Sequence, residues 1–151
     1  SIPPTRWSLP VWELSRLVRR DDVEVALSSL IAKTAKLCAA DLLVSFADRT
    51  HGHHGGIYQA CSWKYDGCRD KRMDGVILDG VFVPGRSSNS AYGTRSPDRL
   101  RAKGVAATVE PHYDDGKHLY WRAMTRKGRA MAEQLGLKDI AYLKPKMAAV
   151  K

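Results

Sequence analysis

The sequence predicts an α+β fold: a long N-terminal amphipathic helix, a glycine-rich strand-and-loop middle, and a helix–hairpin–helix C-terminal part. Three observations point there. Val23, Leu27, Leu30, Ile31, Cys38, Leu42 and Phe46 recur at helical spacing. Glycines crowd positions 52 to 93, too densely for a regular helix. Two alternating runs flank Asp115-Gly116, a tight-turn dipeptide. At 151 residues the chain suits one globular domain, read as 21–143, preceded by an arm and short helix (1–20) and followed by a basic tail (144–151).

In chain order, three prolines make residues 1–10 an extended arm, and Val11 to Arg20 has the spacing of a short helix. Asp21 and Glu24 are spaced as a capping box opening the long helix, which runs to a stop at His51-Gly52. Ile57 to Tyr65 and Val76 to Val83 read as extended runs around the charged turn Asp66 to Asp70, and the serine-rich stretch Arg86 to Thr94 as mobile or ordered by a partner. Ser96-Pro97 opens a helix ending at Gly104, with serine as its cap. Val105, Ala107 and Val109 pair with Leu119, Trp121 and Ala123 as a hairpin, and Thr125 caps a last helix that Gly136 closes. On that hairpin Trp121 is more often core than a base-stacking platform.

Composition excludes several classes. With 44% hydrophobic and 27% charged residues, wholesale disorder, a collagen-like fibre and a coiled coil are out. No run approaches the roughly 20 apolar residues of a membrane span. The N-terminus lacks a signal layout, and three cysteines do not make a disulfide framework, so a reducing, cytoplasmic setting is expected. The formal charge of +9 is concentrated in residues 101–151, where 11 Lys and Arg face 5 Asp and Glu. A clustered positive surface attracts polyanions, and phosphate backbones are the commonest.

The segment RLRAKGVAATVEPHYDDGKHLYWRAMTRKGRAMAEQLG then resembles the recognition-helix end, wing and following helix of winged-helix DNA-binding regulators of the MarR type. Leu100, Lys103 and Gly104 match the end of the helix, Asp114 to Lys117 the wing, and Thr125, Lys127, Gly128 and Arg129 the start of the next helix. The resemblance covers the wing region, about residues 99–136, and implies a winged-helix-like part at 95–136. The glycine-rich text at 75–93 departs from the family, which places a helix there.

The expected function is nucleic-acid binding, with DNA favoured over RNA, as a transcriptional regulator or a plasmid or phage replication accessory. Lys117, His118 and Arg122 on the wing would lie along phosphates. Arg95, Arg99, Arg101 and Lys103 would stand nearest the groove, where arginine forks pair with base edges, and Arg86 counts as a further nucleic-acid contact. Arg126, Lys127 and Arg129 cluster at a helix start, where the dipole does not favour cations and a bound anion would. A homodimer is compatible with this reading.

Two alternatives stay open. His51, His53, His54, Cys61 and Cys68 are zinc-ligand types, but their spacing is not that of a standard finger, and a polar loop with buried cysteines accounts for them as well. No other cofactor motif is present. Used for catalysis, the histidine loop would make the chain a metal-dependent nuclease. Gly56-Ile57-Tyr58 with Phe82 to Gly85 resembles the paired strands of GIY-YIG nucleases, which would cast Arg99 or Arg101 and Glu110 as catalytic. A structural RNA-binding subunit is the third reading.

Overall fold

The computed structural model describes residues 7–15, 17 and 20–142. The expected basic tail, the first six arm residues and part of the Val11 to Arg20 helix lie outside them. The chain folds as two compact units, residues 1–69 with 117–151, and residues 70–116.

The first unit is built on a four-stranded sheet in the order β1-β2-β7-β3, formed by β1 (Trp12–Leu14), β2 (Leu42–Asp48), β3 (Lys64–Arg69) and β7 (Lys117–Ala123). The other strands, β4 to β6, belong to the second unit. β1 runs parallel to β2, and the crossover between them carries helix α1 (Leu27–Leu37). β7 pairs antiparallel with both β2 and β3. One face of the sheet packs Leu43, Ala47 and Tyr120 against Ile31 and Ala35 of α1 and Tyr58 of the short helix α2 (Gly56–Ala60). The other face packs Leu42, Val44, Leu119 and Trp121 against Met131 and Ala132 of α5 (Arg126–Gln134).

This arrangement corrects the long N-terminal helix. α1 begins only at Leu27, and Ala26 at its start offers no side-chain cap, so the Asp21/Glu24 capping box does not form. Leu42 and Phe46 belong instead to β2. A strand buried on both faces is apolar at nearly every position, and that text fits a buried helix equally well. Trp12 to Leu14, read as helical, is the edge strand β1. The first part of the run Ile57 to Tyr65, expected to be extended, belongs instead to helix α2, so the strand of a GIY-YIG site is missing there.

The second unit is a three-stranded antiparallel sheet, β5-β4-β6, made of β4 (Met73–Leu78), β5 (Val81–Pro84) and β6 (Val109–Tyr113). The single extended run expected at Val76 to Val83 is a hairpin turning at Asp79-Gly80. Helices α3 (Gly85–Tyr92) and α4 (Pro97–Ala102) cover one face, and Val76, Leu78, Leu100 and Val109 form the core between the layers. The serine-rich stretch is thus an ordered helix, held by its packing and stopped at Gly93. Ser88, fully buried, donates to Thr94 O at 2.8 Å. α4 forms where its Ser-Pro start predicts, although Ser96 makes no side-chain capping bond.

The wing is also corrected. β6 and β7 are both strands, but they do not pair: β6 joins β4, while β7 lies in the centre of the other sheet. The Asp115-Gly116 corner ends one unit instead of folding a hairpin. Asp114, 6% exposed, accepts from Arg72 N at 2.9 Å and Gly116 N at 3.0 Å, and Asp114 N donates to Arg72 O. These bonds tie the corner to the segment before β4. Thr125 does cap α5 as expected, its hydroxyl accepting from Gly128 N at 3.0 Å.

Candidate functional sites

The cations expected to bind nucleic acid fall into two groups with different surroundings. In the first unit most are already bonded. Lys117 pairs with Asp48 at 3.2 Å, and Lys127 with Asp41 at 3.4 Å. Arg122 donates to Cys61 O at 3.0 Å, and the His118 ring Nδ1 shares a 2.8 Å hydrogen bond with the Tyr65 hydroxyl. Arg126 and Arg129 alone of that set make no side-chain hydrogen bond or ion pair among the described residues.

In the second unit the cations gather on the helical layer. Residues 85–104 carry Arg86, Arg95, Arg99, Arg101 and Lys103 against a single acid, Asp98. The remainder of that unit carries Lys71 and Arg72 against six Asp and Glu. The unit is neutral as a whole yet polarised, helices positive and sheet side negative.

Five of its seven acids, Asp74, Asp79, Asp98, Asp114 and Asp115, have side-chain partners. Asp74 meets His112 at 2.6 Å, and Asp115 meets Lys71 at 3.4 Å. Asp79 accepts from Thr108 N at 2.7 Å, a bond that holds its carboxyl below the usual carboxylate range.

Two of the five helical cations are structural. Arg101 spans Val109 O, through two nitrogens at 3.1 and 2.8 Å, and Asp98 at 2.7 Å. Lys103 Nζ donates to Tyr92 O at 2.7 Å, tying the end of α4 to the end of α3. The side chains of Arg86, Arg95 and Arg99 make no hydrogen bond or ion pair among the described residues, and all three residues are exposed. Arg95 lies against the start of α3, its Cδ 3.7 Å from where a Cβ on Gly85, the sequence neighbour of Arg86, would sit.

A second site is a cleft of about 770 Å³ in the first unit, within the roughly 300–1,000 Å³ range of small-molecule pockets. Its walls include Glu13, Asp48, His53, His54 and Lys117 over a floor of Leu14, Phe46 and Ile57. The loop at its rim is held by a close approach. Gly55, at φ +77°, lies so near Tyr120 that an added Cβ would stand 2.1 Å from the ring. The Tyr120 hydroxyl donates to His54 O at 2.8 Å and accepts from Gln59 Nε2 at 3.2 Å, and burial pushes it up to about 12.

Burial also lowers His118, with Arg49 and His54 adding to the effect, so its neutral form is favoured. Burial raises Asp48, but hydrogen bonds from Lys117 and Thr50 outweigh it and leave the carboxyl below its ordinary value.

The five expected metal ligands do not converge. His51 and His53 rings lie 6.1 Å apart. Cys61 is buried and donates to Ser28 O at 3.3 Å, whereas exposed Cys68 receives a 3.5 Å contact from Arg49. No group of three or more His, Cys, Asp or Glu among the described residues is placed to hold a metal ion. Nor is any described helix long and apolar enough to cross a membrane.

Glu13 and Asp48 in the cleft, and Ser87, Asn89 and Ser90 on α3, were not singled out from the sequence. The Gly85-to-Gly93 frame around that serine run was the available signal for a short helix.

No curated protein matches the chain. A family match does exist, over residues 6–144, and it is not to the winged-helix regulators. It overturns the MarR-type resemblance, as the separated wing strands do independently. A match across nearly the whole length settles membership: the chain belongs to the Mom protein family.

Proposed function

We propose that this protein binds nucleic acid, duplex DNA in preference to RNA, through the helical layer of the 70–116 unit. One observation carries the reading: Arg86, Arg95 and Arg99 are exposed, unbonded among the described residues, and share a layer with one acid. Long side chains left without a partner on one face are suited to phosphates, whose neutralisation releases counterions. Arg101 and Lys103 stiffen that layer and add to its field.

Affinity for a duplex should fall steeply with salt. Each of Arg86→Gln, Arg95→Gln and Arg99→Gln should reduce the log–log slope by about 1. A wild-type slope near zero would remove the reading, and RNA competing better than DNA would replace its preferred partner.

The cleft carries a second reading, a nuclease, because the acid–base groups His53, His54, Glu13 and Asp48 line it. Plasmid incubated with the protein and Mg²⁺, Mn²⁺ or Zn²⁺ separates the two, since a binding module leaves the DNA intact.

A further inference from the structure

Helix α3 is an unusual surface helix. Its sequence, GRSSNSAY, contains glycine, three serines and an asparagine, all poor helix formers, and no glutamate or lysine. Its composition therefore does not serve its own stability. Packing holds it, through buried Ser88 and half-buried Tyr92 on the inward side.

At 100° per residue, Arg86 and Ser90, one turn apart, crown the side opposite Ser88, with Ser87 and Asn89 on its flanks. All four are exposed. Apart from Arg86, every side chain on this ridge is short. A helix so trimmed is narrow, and the major groove of B-DNA, about 12 Å wide, admits a helix of that girth. The ridge also carries the hydrogen-bonding types that read base edges: an arginine fork, an asparagine amide and two hydroxyls.

We infer that α3 enters the major groove of duplex DNA and reads base edges through Arg86, Asn89 and Ser90, while Arg95 and Arg99 hold the flanking phosphates. This rests on the nucleic-acid reading above and goes beyond it by assigning sequence preference to one helix. The division of labour follows from position. Arg99 sits on α4, exposed and outside the ridge, and Arg95 lies in the connection beside the start of α3. Small polar side chains contribute little to a salt-dependent term, so any role they have shows in discrimination among sequences.

The experiment is selection from a randomised duplex library with the full chain, followed by competition between the best and the average duplex. Wild type should show a preference. Asn89→Ala and Arg86→Ala should each reduce it about five-fold or more, and Asn89→Ala should leave the salt slope unchanged. Arg99→Gln should weaken all duplexes alike. Alanine is a better helix former than asparagine, so Asn89→Ala cannot act by melting α3, and unchanged circular dichroism confirms this.

A wild type with a steep salt slope and no sequence preference overturns the inference and leaves the polyanion reading standing. The same holds if Asn89→Ala and Arg86→Ala keep the full preference. A flat wild-type slope overturns both.

Discussion

The two units carry charge in opposite ways. Residues 1–69 and 117–151 hold 18 Lys and Arg against 9 Asp and Glu, which accounts for the whole net charge of the chain. Residues 70–116 hold seven of each and are neutral. Yet in the first unit Lys117, Lys127 and Arg122 are tied to carboxylates or carbonyls, and in the second three arginines stand unbonded on one layer. Net charge is a sum over volume, whereas a docking surface depends on where the uncommitted charges lie. On the proposed reading, it is the neutral unit that meets the phosphates.

The units also differ in architecture. The first has a sheet covered on both faces, with β2 buried along most of its length; the second covers one face. Core substitutions should sharpen this contrast most. An added Cβ at Gly128 would lie 1.8 Å from Asp41 O, a backbone atom that cannot step aside. Gly128→Ala should therefore cost about 3 kcal/mol or more in denaturant unfolding. Leu100, with 0% exposure, centres the smaller core. Leu100→Ala should cost about 3 kcal/mol too, and should weaken duplex binding by disturbing α4. All four tryptophans, 7, 12, 63 and 121, lie in the first unit, so their emission reports on that unit alone. Equal shifts of the tryptophan and backbone midpoints in Leu100→Ala would show that the two unfold as one.

The cation contrast can be broken directly. Gln at Arg86, Arg95 and Arg99 together should lower the salt slope by about three. Gln at Arg126, Lys127 and Arg129 should lower it by less, since Lys127 is already paired. The reverse ranking, read in the same titration, would move the interface to α5.

Protonation gives a smaller effect, which near neutral pH comes from the first unit. The His118 ring is lowered from 6.5 by burial, Arg49 and His54, so the folded protein takes up its proton later than the unfolded chain. Its contribution is complete above pH 6.5 and is lost as the pH falls below that value through the folded one. Melting temperature should decline over that window, and His118→Asn should flatten the decline. Asp41, Asp48 and Asp79 are also lowered, but from 3.8, so they act at more acid pH. At the small end, Thr125→Ala removes the α5 cap and should cost about 1 kcal/mol. Lys127→Gln, an exposed pair, should leave the unfolding midpoint within error.

Local chemistry was legible where one element contained its own explanation. Ser96-Pro97 announces α4, and Thr125 with Gly136 announces α5, because start and stop signals lie within or beside the helix they bound. The candidate site was half legible. Arg95 and Arg99 stand out as cations near a short helix, but Ser87, Asn89 and Ser90 looked like mobile text until packing showed a helix beneath them. His118 was read as a phosphate contact, whereas its partner Tyr65 lies 53 residues away on a neighbouring strand.

Two misreadings share one cause. β2 was taken for helix, and β6 and β7 for a hairpin, because periodicity and turn residues describe a segment and not its neighbours. Whether Leu42 to Asp48 is a helix or a strand depends on β1 and β7 bonding to its two edges. Whether Val109 pairs with Leu119 depends on Leu78, which competes for it from 31 residues upstream and pairs with it. Propensity, capping and charge are written within a few residues of where they act. Strand partnership and the exposure of a side chain are settled by segments far apart in the chain, so here they emerged only from the assembled fold.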